Sequence, residues 1–190
     1  MSLPDHRGSI VPCTTRVMNI ATFLSQAARR YADEPALVWR ERIWSWEEME
    51  ARVNAMAKAL TNEFGLKKGD RILVQSTNCN QMLESMFATF RVGAVWVPTN
   101  FRQTPDEVAF LAKASGASLM ICHASFAGHA EAAREASPAL KHLIAIGEET
   151  FGEDYDEIVE RNLGHKLEAV AVDRDDPCWF FYTSVTTGHP

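Results

Sequence analysis

RILVQSTNCNQMLESMFATFRVGAVWV, from Arg71 to Val97, decides the architecture. Arg71 to Gln75 reads as a short buried strand, an apolar run that empties into the polar turn Ser76-Thr77-Asn78-Cys79-Asn80. A helix from about Gln81 to Val92 follows, and after Gly93 the run Ala94 to Val97 reads as a second strand. Parallel neighbours need a crossover long enough to hold a helix, and this spacing supplies one. The unit therefore predicts two parallel strands with a helix laid across them. Ligands on such a sheet collect at the carboxyl ends of its strands.

The alternation continues toward the C-terminus. Thr104-Pro105-Asp106-Glu107 combines an N-cap, a proline at the first helical position and a capping-box acid, and the helix it starts runs to Gly116. Ala117 to Cys122 is the next strand, a helix covers about Phe126 to Ala136, and His142 to Ile146 forms another strand. The acidic stretch Glu148 to Leu167 offers one helix, Tyr155 to Asn162. Asp173 to Pro177 then breaks the chain before a last buried strand, whose bulky apolar residues include Trp179, Phe180 and Phe181.

On the N-terminal side, residues 1–18 read as a flexible leader. Asn19 caps a helix whose Ile20, Phe23, Leu24, Ala27, Ala28 and Tyr31 share one face. Ala36 to Trp39 and Ile43 to Trp46 are two short strands around a charged turn, with three tryptophans available for cross-strand packing. Ser45 and Glu48 form a capping box for a helix with the stripe Met49, Val53, Met56, Ala57, Leu60 and Phe64, stopped at Gly65. The expected fold class is α/β, a mostly parallel sheet flanked by helices on both faces. Its expected divisions are the leader 1–18, an α/β subdomain 19–176, and residues 177–190 as the start of a further subdomain.

Composition narrows the function. The chain has 190 residues, 46% of them hydrophobic and 23% charged, enough for one sizeable core. Its net charge is -6 and no basic cluster is longer than Lys67-Lys68, which argues against a nucleic-acid partner. Cys13, Cys79, Cys122 and Cys178 form no C-x-x-C pair, so neither a zinc site nor a disulfide framework is indicated, and a reducing, cytoplasmic setting fits. His123 and His129 read as helix-surface residues. No apolar run reaches membrane-spanning length, and the opening residues lack the apolar core of a secretory signal.

The chain closes on YTSVTTGHP, Tyr182 to Pro190, a run of hydroxyls ended by Gly and Pro. Such a loop offers backbone N–H groups and hydroxyls without side-chain charge, equipment for enclosing a polyphosphate. The G-x-x-x-x-G-K-[ST] spacing of a Walker loop is absent. The run resembles the YTSGTTGxPK signature of the AMP-binding, adenylate-forming enzymes. Phe90 to Arg102 is similar to that family's K-x-G-A-x-x-V-P-x-N-x-R segment, with Arg91 in place of the usual lysine, and Gly65 to Asp70 resembles the entry to its first core strand. The acyl-CoA synthetases look nearest.

The resemblance implies a fold, a two-step reaction and its substrates. A carboxylic acid of the fatty-acid class attacks ATP, with Mg2+, to give an acyl-adenylate and pyrophosphate, and coenzyme A then takes the acyl group. Thr183, Ser184, Thr186, Thr187 and Gly188 fall on the family's ATP-phosphate loop, and Arg102 is a candidate for a phosphate of coenzyme A. Val185 replaces the signature's glycine, and a β-branched residue there should stiffen the loop. Catalytic residues of the family lie beyond the signature, so the expected reading is the N-terminal part of an acyl-CoA synthetase, inactive alone. The alternative is a non-catalytic regulatory or interaction module descended from that family. A sheet cut after its last strand also predicts a homodimer through the uncovered edge.

Overall fold

The computed structural model describes residues 16–147 and 151–183. In chain order the elements are β1 (Arg16–Val17), α1 (Ala21–Arg30), β2 (Pro35–Trp39), β3 (Arg42–Ser45), α2 (Trp46–Asn62), β4 (Arg71–Gln75) and α3 (Asn80–Arg91). There follow β5 (Val95–Pro98), α4 (Pro105–Ser115), β6 (Leu119–His123), a 3-10 turn, α5 (Ala127–Ala136), β7 (His142–Ile146), β8 (Glu153–Asp154), α6 (Tyr155–Arg161) and β9 (Val172–Asp173).

The β4–α3–β5 unit is parallel, with Ile72 opposite Trp96 and Leu73 opposite Val97. It belongs to a five-stranded sheet of order β5-β4-β6-β7-β8, parallel throughout. Alternation along the strands divides the core. Ile72, Val74, Leu119, Ile121 and Ile144 pack with Met49, Val53, Met56 and Leu60 of α2, Phe90 of α3 and Ile158 of α6. Leu73, Val95, Val97 and Met120 pack with Val108 and Leu111 of α4 and with Ala130 and Ala133 of α5. Both faces are therefore covered, which is why the strands read as continuous apolar runs.

Local signals fix the helix ends. The Glu107 N–H donates to Thr104 Oγ1 at 3.4 Å while the Thr104 N–H donates to Glu107 Oε2 at 2.7 Å. Ser45 and Glu48 make the same reciprocal pair at the start of α2. Each such cap contributes about 1 kcal/mol. Gly93 stands at φ +70 between α3 and β5, where a Cβ would lie 2.6 Å from Val170 Cγ2. Only glycine lets the chain turn here with that side chain so close.

Three expectations from the sequence are corrected. In α1, Ala21 and Leu24 are buried, whereas Ile20, Phe23 and Tyr31 are exposed, because α2 and α3 meet only a narrow strip of this helix. The hairpin register sets Trp39 opposite Arg42 and Trp44 opposite Leu37, so no tryptophan pair crosses it; Trp46 opens α2. The arginines stack instead, with Arg42 Cζ 4.7 Å above the Trp44 ring. His123 ends β6 rather than lying on a helix, and its Nδ1 meets Ser125.

Within the expected leader, Arg16 and Val17 pair antiparallel with Val172 and Asp173. Asn19 is buried: its Oδ1 accepts the Ala21 N–H at 2.9 Å and its Nδ2 donates to Phe90 O at 2.8 Å and Val170 O at 3.1 Å. Asn19 stands one position before the helix's cap position at Ile20, and it ties the segments at residues 19 and 170 to α3. Among the described residues no helix is long and apolar enough to cross a membrane.

Tyr155, at the start of α6, is fully buried and its hydroxyl has no partner among the described residues. Burial, and then the nearby Glu84 charge, hold its phenol well above the ordinary range. An unsatisfied buried hydroxyl costs about 1–3 kcal/mol. Tyr155→Phe is therefore expected to raise stability by about 1 kcal/mol in urea titration, and a loss of stability would mean that the hydroxyl has a partner in solution.

Candidate functional site

The carboxyl end of the sheet is assembled from β5 and the last described segment. The Trp96 N–H donates to Cys178 O at 2.9 Å and the Phe180 N–H donates to Trp96 O at 3.1 Å. This parallel bridge between Trp96 and Trp179 lays Cys178 to Phe180 along the outer edge of β5. The segment was expected to be a buried strand. It is instead a half-buried edge run with one bridge, and Phe181 is 70% exposed.

Its aromatic residues anchor it on both faces. Trp179 meets Trp96 edge-on at 4.9 Å and carries Phe181 stacked at 4.5 Å, while Phe180 and Tyr182 pack against the opposite core. Burial pushes the Tyr182 phenol above its ordinary range, with the Arg71 charge opposing. It is a neutral hydroxyl near pH 7. Thr183 follows, exposed, at the end toward which β5 also runs.

The exit of β5 is a tight turn. The Asn100 side chain accepts the Arg102 N–H at 3.0 Å, and the Asn100 N–H donates to Gln103 Oε1 at 2.9 Å. Arg102 is exposed, with Cζ 5.3 Å from the Phe101 ring centre, and no carboxylate partners it among the described residues. Arg102 and Thr183 thus leave adjacent parallel segments at one end of the sheet. Ser184, Val185, Thr186, Thr187 and Gly188 lie outside the described residues.

One residue at this end escaped the sequence reading. Gln75 is fully buried at the end of β4, where its Oε1 accepts from Thr99 and its Nε2 has no partner among the described residues. A polar residue closing an apolar strand was the available signal. Cys122 is buried too, and burial pushes its thiol up to about 12, so it remains protonated.

The other half of the sheet end opens into a cleft of about 920 Å³, floored by Asn78, Cys79 and Gly147 and flanked by Arg52. Arg52 Nε and Nη2 donate to Glu84 at 2.7 and 3.0 Å, and Nη2 also reaches Asp156. Burial, the largest single influence, pulls the guanidinium's pKa down, but the bonds and charges of Glu84 and Asp156 together outweigh it and hold it above the ordinary range. Gln81 Nε2 completes the group on Asp156 at 2.8 Å. This network fastens α2, α3 and α6 together beneath the cleft.

The AMP-binding enzyme family pattern matches residues 24–190, most of the chain. The chain belongs to that family. The crotonobetaine/carnitine–CoA ligase of Salmonella paratyphi A is 27% identical over 182 residues, covering 90% of this chain and 35% of that protein. The crystal structure of the anthranilate CoA ligase AuaEII with anthranoyl-AMP superposes with a TM-score of 0.86 at 24% identity, over 96% of this chain and 35% of that one. A Mycobacterium tuberculosis fatty acyl CoA synthetase superposes with a TM-score of 0.80 at 26% identity, over 90% of this chain and 33% of that one. This AMP-binding chain therefore spans about a third of the length of such relatives, and its parallel sheet with helices on both faces is their fold.

Proposed function

We propose that this chain is the opening part of an ATP-dependent acid-thiol ligase, which joins a carboxylate to AMP and then passes the acyl group to coenzyme A. An unactivated carboxylate is a poor acyl donor, and AMP is a far better leaving group than oxide. The observation that carries the reading is the path of Cys178 to Thr183, which runs with β5 toward the sheet's carboxyl end, where ligands of such sheets gather. Family membership supports it, as do relatives named as CoA ligases of quite different acids. A fatty acid is the first substrate class to test.

In this reading the hydroxyls of Thr183, Ser184, Thr186 and Thr187 and the backbone at Gly188 would hydrogen-bond the β- and γ-phosphates. Arg102, exposed at the same end, would meet a phosphate of coenzyme A. Mg2+ would come with the triphosphate, whose charge it neutralises. The divisions at 18 and 176 are proposed with it, residues 177–190 opening the next subdomain.

Calorimetry with Mg-ATP tests the loop, and a thioester assay with coenzyme A and fatty acids of varied length tests the chain. Weak ATP binding is expected, tightened several-fold by Val185→Gly as the loop regains backbone freedom. No thioester should form above the blank. Absence of heat from both proteins would overturn the phosphate loop, and robust turnover would overturn the claim that this part is inactive alone.

A further inference from the structure

The turn that carries Arg102 is pinned at both ends. On the β4 side, the Thr99 N–H donates to Val74 O at 2.9 Å and the Thr99 hydroxyl reaches Gln75. Inside the turn, the Gln103 N–H donates to Asn100 O at 2.9 Å, alongside the two side-chain bonds of Asn100 and Gln103 described above. Thr104 then caps α4.

One further bond comes from outside the turn. His129, half-buried on α5 and 26 positions away in the chain, sets its Nε2 2.9 Å from Gln103 O. A carbonyl can only accept, so Nε2 carries the hydrogen and donates. Phe126 braces the imidazole edge-on, with ring centres 5.2 Å apart, which fixes its plane. Because α5 packs along α4, this bond fastens the last residue of the turn to the neighbouring helix.

Phe101 and Arg102, at the tip, are exposed, and Arg102 has no carboxylate partner among the described residues. A cation on a loose turn must be ordered when its ligand binds. One on a fixed turn is ordered already by folding, so its ligand is held more tightly.

We propose that His129 is a positioning residue for coenzyme A: its bond to Gln103 O holds residues 100–103 in the shape that presents Arg102 to a phosphate. The proposal rests on the ligase reading, which gives Arg102 its ligand. His129 itself touches no substrate and acts through Arg102.

NMR follows both halves of the claim. In mildly alkaline solution the imidazole nitrogen shifts should show Nε2 protonated and Nδ1 bare. His129→Leu, which keeps an apolar contact with Phe126, should speed hydrogen exchange at the Asn100 and Arg102 N–H groups about fivefold and weaken coenzyme A by a similar factor, the usual worth of one hydrogen bond. His129→Gln, whose amide can donate to the same carbonyl, should recover most of both losses. Should His129→Leu fold poorly, His129→Asn, polar but too short to reach the carbonyl, takes its place. Arg102→Gln should weaken coenzyme A about tenfold, and in that background His129→Leu should weaken it no further, since the two act along one path.

If Arg102→Gln weakens coenzyme A while His129→Leu changes neither affinity nor exchange, the role of His129 alone is overturned. An equal loss from His129→Leu with and without Arg102 would overturn it as well. Arg102→Gln without effect on coenzyme A would instead overturn the assignment of Arg102 in the ligase reading, and the proposal with it.

Discussion

Glu50→Ala is expected to destabilise the protein by about 3–5 kcal/mol, the usual consequence of leaving a buried charge without its partner. Arg91 at the end of α3 is only 1% exposed. Its Nη1 and Nη2 donate to Glu50 at 2.9 and 2.7 Å, Nη2 also reaches Ser25 Oγ at 2.9 Å, and Nη1 bonds Asn54. One guanidinium thus joins α1, α2 and α3. For a domain of this size such a loss corresponds to a fall in Tm of roughly 10 °C. Urea and thermal unfolding would measure it. Because replacing both charges leaves nothing unpaired, Glu50→Leu with Arg91→Met should cost less than Glu50→Ala alone. A single-variant loss below about 1 kcal/mol would mean that solvent reaches Arg91.

The second large effect is expected at Arg52→Met, again about 3–5 kcal/mol. Glu84 is fully buried, and without Arg52 it would keep, among the described residues, only the Asn80 Nδ2 bond at 3.0 Å. Asp156 would lose its link to α2 at the same time, so α6 should loosen along with the cleft floor. Hydrogen exchange should therefore rise in α6 before it rises in β4 or β6. Arg52→Lys keeps the charge but not the two-pronged contact, and an intermediate loss is expected. If exchange rises uniformly across the sheet, the network does not fasten α6 in particular.

The difference between what the sequence disclosed and what it hid follows sequence distance. The β4–α3–β5 unit, the two capping boxes and the end of α4 at Gly116 are set by neighbours within a few positions, and all stand as read. The ion networks join residues as far apart as Arg52 and Asp156, which no local pattern connects. Apolar spacing alone also misjudged α1, since Phe23 and Tyr31 satisfy the helical period but stay more than half exposed, at 57% and 53%. At the candidate site, Thr183 and Arg102 were singled out by their motifs, and both leave the sheet at its carboxyl end. Gln75 was not, because its burial depends on how β4 and β5 close over it.

The run from Cys178 to Phe180 has a consequence for biosynthesis. While the chain emerges from the ribosome, β4, β6 and β7 can assemble as soon as their crossovers are complete, yet the outer side of β5 must wait for Trp179, far downstream, to supply its pairing partner. Until then Trp96 offers an open strand margin beside an aromatic surface, the feature that chaperones and misdirected strands both recognise. Any slowing of translation between β7 and Trp179 would lengthen that exposure.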